Sequence, residues 1–98
     1  QILKDFPPKE LRGIIDQGKK EIKSGVIISI STFDGKVGVA IGVSQDLTTK
    51  FDAVILVKIA SEILGGKGGG GRKDFAQAGG VDQSKIEQTF EAIRKKLN

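Results

Sequence analysis

The chain has 98 residues, with 16 Lys and Arg against 12 Asp and Glu for a formal charge of +4, and it contains neither cysteine nor histidine. That length holds one domain with a core of modest size. The missing residue types exclude disulfides, thiol nucleophiles, imidazole acid–base chemistry and zinc sites of the usual kind, and the charge excess is too mild for a histone-like protein.

The longest apolar run, Ala53 to Val57, is ended by Lys58 and is far too short to span a bilayer; no stretch reads as a signal peptide. A cytoplasmic, membrane-free protein is expected. The serines have no histidine to activate them, and the acids are scattered rather than paired. The expectation is a non-catalytic chain with no cofactor or metal of its own. Methionine is absent even at position 1, which reads as a domain cut from a larger polypeptide.

In chain order, Ile2 and Leu3 read as the end of a strand that Pro7-Pro8 stops. Pro8 suits the first helical position, and Leu11, Ile14, Ile15 and Ile22 follow at helical spacing, with Gly18 on the same face where something packs closely. Ser24-Gly25 closes this helix. Val26 to Phe33 and Lys36 to Val43 are β-rich runs joined by Asp34-Gly35, a strong hairpin signal. Gly38, Ala40 and Gly42 give the second run a face of small residues, which predicts a helix lying flat on the sheet in preference to a ligand surface.

Asp46, Thr48 or Thr49 is placed to cap a second helix from Lys50 to Leu64, with Gly65 at its C′ position. This helix is apolar nearly all round, so one side meets the sheet and the other calls for a neighbouring domain or a second copy of the chain as a homodimer. Asp74 to Ala78 reads as one more strand. Asp82 or Ser84 then caps a last helix, Ser84 and Glu87 forming a capping box, with Ile86, Phe90, Ile93 and Leu97 as its apolar stripe. The order is β-α-β-β-α-β-α, an α/β fold: a small single-domain sandwich of a mixed β-sheet with packed helices over residues 1–98.

Between the second helix and the last strand runs Gly65-Gly-Lys-Gly-Gly-Gly-Gly-Arg-Lys-Asp-Phe-Ala-Gln-Ala-Gly-Gly80. Glycine runs are commonly flexible linkers. Here Lys67, Arg72 and Lys73 bring cations beside bare backbone amides, which makes an anion-binding loop. The other basic clusters, Lys19, Lys20 and Lys23 and then Arg94, Lys95 and Lys96, fall at expected helix C-termini and answer the macrodipole. Gly66, Gly68 and Gly71 satisfy the dinucleotide fingerprint by spacing, but they follow a helix and precede a strand, the reverse of what that motif needs. A P-loop fails, because Arg72-Lys73 stands where Lys and a hydroxyl residue belong.

Nucleic acid is the better anion. Lys67, Gly68, Gly69, Gly70, Arg72 and Lys73 suit phosphate. Phe75 offers a ring for an unpaired base, with a core role as the stronger alternative. Gln77 suits a base edge or ribose hydroxyl, with a hydrogen bond at the sheet edge as the alternative.

The glycine stretch closely resembles the signature near the C-terminus of alanyl-tRNA synthetases, a glycine-rich domain type also appended to DHH-family phosphodiesterases, and the resemblance extends over the whole chain. The matching positions are Gly65, Gly66, Gly68, Gly69, Gly70, Arg72, Asp74, Ala76, Gln77, Gly79 and Gly80. Gly71 is one glycine more than the family pattern, and Lys73 replaces a proline. Arg72 stands where the phosphodiesterase branch has a histidine, which favours the synthetase branch. The resemblance implies a non-catalytic domain that binds the elbow of alanine-specific tRNA and helps couple aminoacylation with editing, its partners being that tRNA and the catalytic and editing domains of the same enzyme. The rival expectations are an oligomerisation module and a nucleic-acid-binding accessory to a DHH-type phosphodiesterase.

Overall fold

A computed structural model describes residues 2–4, 10–21, 24–66 and 69–97. The elements are β1 (Ile2–Lys4), α1 (Leu11–Glu21), β2 (Val26–Phe33), β3 (Lys36–Val43), α2 (Ala53–Ile63), β4 (Gly69–Arg72), β5 (Phe75–Gly80) and α3 (Ile86–Leu97), with short 3-10 turns at Gln45–Leu47 and Gln83–Lys85. The sheet runs β1-β2-β3-β5-β4; β1 is parallel to β2 and the other neighbours are antiparallel. The mixed sheet and the three helices are as expected from the sequence. The correction is one added strand, β4, formed inside the glycine stretch. The placement of Pro7-Pro8 and of Ile22 and Lys23 lies outside the described residues.

The β2–β3 hairpin forms because its two turn residues accept φ > 0: Asp34 at 54° and Gly35 at 76°, as a primed two-residue turn requires. Alternation then divides the core. Val37, Val39, Ile41 and Val43 face α2 and α3 with Leu56, Val57, Ala60, Leu64, Ala76 and Ile93. On the other face Ala40 packs with Leu11 and Ile15 of α1, Phe75 and Ile27. The small-residue face of β3 is therefore a helix seat. A β-carbon added at Gly42 would lie 2.4 Å from Ile15 Cγ2, and one at Gly18 would lie 2.8 Å from Ile27 Cδ1. By contrast, nothing lies within 4 Å of a β-carbon added at Gly13. On this exposed turn of α1, Gly13→Ala is expected to raise stability by about 0.5–1 kcal/mol, checked by urea unfolding.

One helix start differs from expectation, and the other selects Asp82 from its two cap candidates. The α2 cap is Asp52, which accepts the Val54 N–H at 2.9 Å, and the stretch before it is irregular. Asp46 is occupied elsewhere, accepting the Ser24 and Ser44 hydroxyls at 2.6 Å each. Before α3, the Ser84 backbone and hydroxyl both donate to Asp82, so Asp82 makes the turn and the helix begins at Ile86. Gly65, with φ 77°, follows the α2 C-cap as expected. The far side of α2, assigned from sequence to a neighbour or a second copy, is largely taken by α3. Ile55 stays 58% exposed.

Candidate nucleic-acid interface

The glycine stretch folds as the edge hairpin β4–β5, its tip at Lys73 and Asp74. Most of its glycines have structural causes. A β-carbon at Gly66 would meet the Gly79 carbonyl oxygen at 1.9 Å; at Gly69, the Gln77 oxygen at 2.2 Å; at Gly71, the Phe75 oxygen at 2.4 Å. Only backbone without side chains can curl this tightly against its partner strand. Gly70 is different: nothing lies within 4 Å of a β-carbon there. Packing inside the domain does not call for glycine at that position, and its backbone is exposed on the sheet edge.

The tip is braced from three sides. The Ala53 N–H donates to the Lys73 carbonyl at 3.0 Å, and the Val43 N–H to the Asp74 carbonyl at 2.8 Å. Lys19 on α1, 55 residues earlier in the chain, donates its ammonium to the same Asp74 oxygen at 2.8 Å. The Asp74 carboxylate faces Lys19 at 3.7 Å and Arg72 Nε at 3.5 Å, and accepts Gln45 Nε2 at 3.3 Å. The Asp74 and Lys19 side chains are only 22% and 23% exposed, whereas Arg72 is 69% exposed. The tip therefore projects Arg72 and Lys73 into solvent from an anchored base. Arg72, Lys73 and Asp74 line an open depression of about 380 Å³ with Gln45 and Thr48. Next to it, hydrogen bonds from Ser24 and then Ser44 hold the Asp46 carboxyl below its ordinary pKa.

The sequence-derived site residues separate accordingly. Gly69, Gly70, Arg72 and Lys73 share the exposed hairpin. Lys67 and Gly68 lie outside the described residues. Gln77 is half-buried opposite Gly70 and Ala40. Phe75 is the correction: it is 8% exposed, packed under α1, with the Arg12 guanidinium 4.9 Å from its ring centroid. Its ring belongs to the core and offers no open face to a base. Gln45 was not singled out in the sequence, and Thr48 and Lys19 were assigned there to a helix cap and a helix dipole, since only the fold brings the three to the hairpin. Among the described residues no cluster of acids suits a metal ion, and no helix is long and apolar enough to cross a membrane.

Residues 1–98 match the DHHA1 domain over their full length. The chain belongs to the DHHA1 domain family. This DHHA1 domain is 54% identical over 89 residues to the alanine-tRNA ligase of Hyphomonas neptunium, covering 91% of the chain and 10% of the relative. It is 56% identical over 86 residues to that of Rhodopseudomonas palustris, covering 87% of the chain and again 10% of the relative. The DHHA1 domain thus spans about a tenth of the length of these curated relatives. Its fold is similar to the crystal structure of the C-Ala domain from Aquifex aeolicus alanyl-tRNA synthetase, with a TM-score of 0.91 and 30% identity over 99% of this chain and 86% of that one.

Proposed function

We propose that this DHHA1 domain is the non-catalytic C-terminal domain of a cytoplasmic alanine-tRNA ligase, and that it binds the elbow of alanine-specific tRNA through the tip of the β4–β5 hairpin. The observation that carries this reading is the combination of Gly70, whose bare exposed backbone nothing in the domain requires, with Arg72 and Lys73 held out on a braced turn. Phosphates approach where amides and cations coincide, and a guanidinium binds them in two-point fashion. The elbow is suited to such a surface, because base-paired RNA presents shape and backbone rather than readable base edges. Holding the elbow on one domain keeps the tRNA attached while its acceptor end passes between the aminoacylation and editing domains of the parent enzyme.

Arg72→Ala is expected to weaken tRNA binding about 10- to 160-fold, since a charge-assisted hydrogen bond contributes roughly 1.5–3 kcal/mol. Fluorescence anisotropy at low salt reads it. Unchanged affinity would remove Arg72 from the site. Arg72 is exposed and its pairing with Asp74 adds little stability, so the variant should remain folded.

A further inference from the structure

Beside the hairpin tip lies a second depression, of about 180 Å³, between the start of α2 and the end of α3. Phe51, Ile55 and Ile59 make its apolar floor, Lys50 and Lys96 stand on its rim, and Asp52 lies at the start of α2. The two depressions share one segment: Gln45 and Thr48 line the first, and Lys50, Phe51 and Asp52 line the second. That segment is tied to the tip by the Ala53 to Lys73 hydrogen bond.

An apolar floor with an aromatic ring, two rim cations and one carboxylate is the chemistry of an unpaired nucleobase site. The ring and the Ile55 side chain supply a stacking surface. Lys50 and Lys96 answer the flanking phosphates. Asp52, whose Oδ1 already accepts the Val54 N–H, adds an acceptor for an exocyclic amino group. The charge argues against a second copy of this chain as the occupant. A symmetric contact would gather two copies each of Lys50 and Lys96 into one interface, whereas a polyanion is attracted to both.

We infer that this groove takes one unpaired base of the RNA held by the hairpin tip, stacked on Phe51, with Lys50 leaving its position 5.7 Å from the ring centroid to meet the adjoining phosphate. The inference rests on the tRNA-binding reading above. It moves the aromatic contact from Phe75, which is buried, to Phe51, which is half-buried against the core and lines the open depression.

The test is a proton NMR titration of the 98-residue chain with a single-stranded RNA octamer of adenosines and with the same octamer made of abasic nucleotides. The chain has five Phe and no Trp or Tyr, so the ring-proton region is sparse. The expected result is an upfield shift of the Phe51 ring and Ile55 methyl protons with the adenosine octamer and not with the abasic one. Phe51→Leu is expected to weaken octamer binding about 5- to 160-fold and to abolish its preference for the base-bearing RNA. The exposed Ile55→Ser gives a second variant that disturbs no buried packing and should weaken binding in the same sense. Equal affinity for the two octamers, or shifts confined to residues 72–74, would overturn the base site while leaving the effect of Arg72→Ala intact. Shifts at Phe51 and Ile55 that depend on protein concentration without RNA would overturn it in favour of a second copy. If Phe51 and Ile55 respond but Arg72→Ala does not weaken tRNA binding, the hairpin-tip reading fails and the base site stands.

Discussion

Gly80→Ala is expected to destabilise the domain by about 3 kcal/mol, the upper part of the range for overpacking a close-packed site. The new β-carbon would lie 2.3 Å from the Leu64 β-carbon and 2.8 Å from its carbonyl oxygen. Neither can move freely. Leu64 is fully buried, and its carbonyl accepts the N–H groups of Val81 at 2.9 Å and Asp82 at 3.0 Å. This knot joins the end of α2 to the end of β5, so relieving the clash would part α2 from the sheet. Thermal unfolding should show a midpoint lowered by on the order of 10–20 °C. The internal control is Gly70→Ala, where nothing stands within 4 Å of the added carbon. Its midpoint should shift by no more than a few degrees. Equal effects at the two positions would show that the glycines are kept for reasons other than packing.

Asp74→Ala carries the second large effect, about 2 kcal/mol of lost stability. One carboxylate serves Lys19, Gln45 and Arg72. The pair with Lys19 is three-quarters shielded, and removing one member of a shielded pair leaves the other poorly compensated. The loss stays below that of a fully buried pair, because Lys19 keeps its bond to the Asp74 carbonyl and water reaches both groups. The exposed Arg72 contact contributes little. A double-mutant cycle with Lys19→Ala, followed by urea unfolding, should return a coupling of roughly 1 kcal/mol or more. Strict additivity would mean that Lys19 and Asp74 brace the turn independently.

The parts of the fold legible in the sequence are those fixed by local chemistry. Asp34-Gly35 marks a hairpin because its turn needs two positive φ angles. Gly65 marks a helix end for the same reason, and the odd and even positions of β3 declare their two faces. The strand β4 was not legible. Gly69, Gly70 and Gly71 have no side chains to favour extended structure, and their pairing is imposed by the backbone of β5. Nor was the α2 cap: Asp52 falls inside the helix expected from Lys50, while Asp46 is engaged by its near neighbour Ser44 and by Ser24, 22 residues before it. At the site, Arg72 and Lys73 could be read from charge beside glycine. Lys19 was read as answering a helix dipole, and its bond to Asp74, 55 residues on, has no local signal. Phe75 shows the opposite difficulty: an aromatic beside cations suits a base or a core equally until burial decides.

The proposed function has this domain holding RNA at the tRNA elbow by its hairpin tip. The most direct measurement is a titration of the domain against whole alanine-specific tRNA and against an acceptor-stem minihelix lacking the elbow, at two salt concentrations. Binding to whole tRNA that weakens as salt rises, with little binding to the minihelix, is the predicted result, because phosphate contacts release counterions. Equal affinity for the two RNAs would contradict the claim, leaving a basic surface without preference for the elbow.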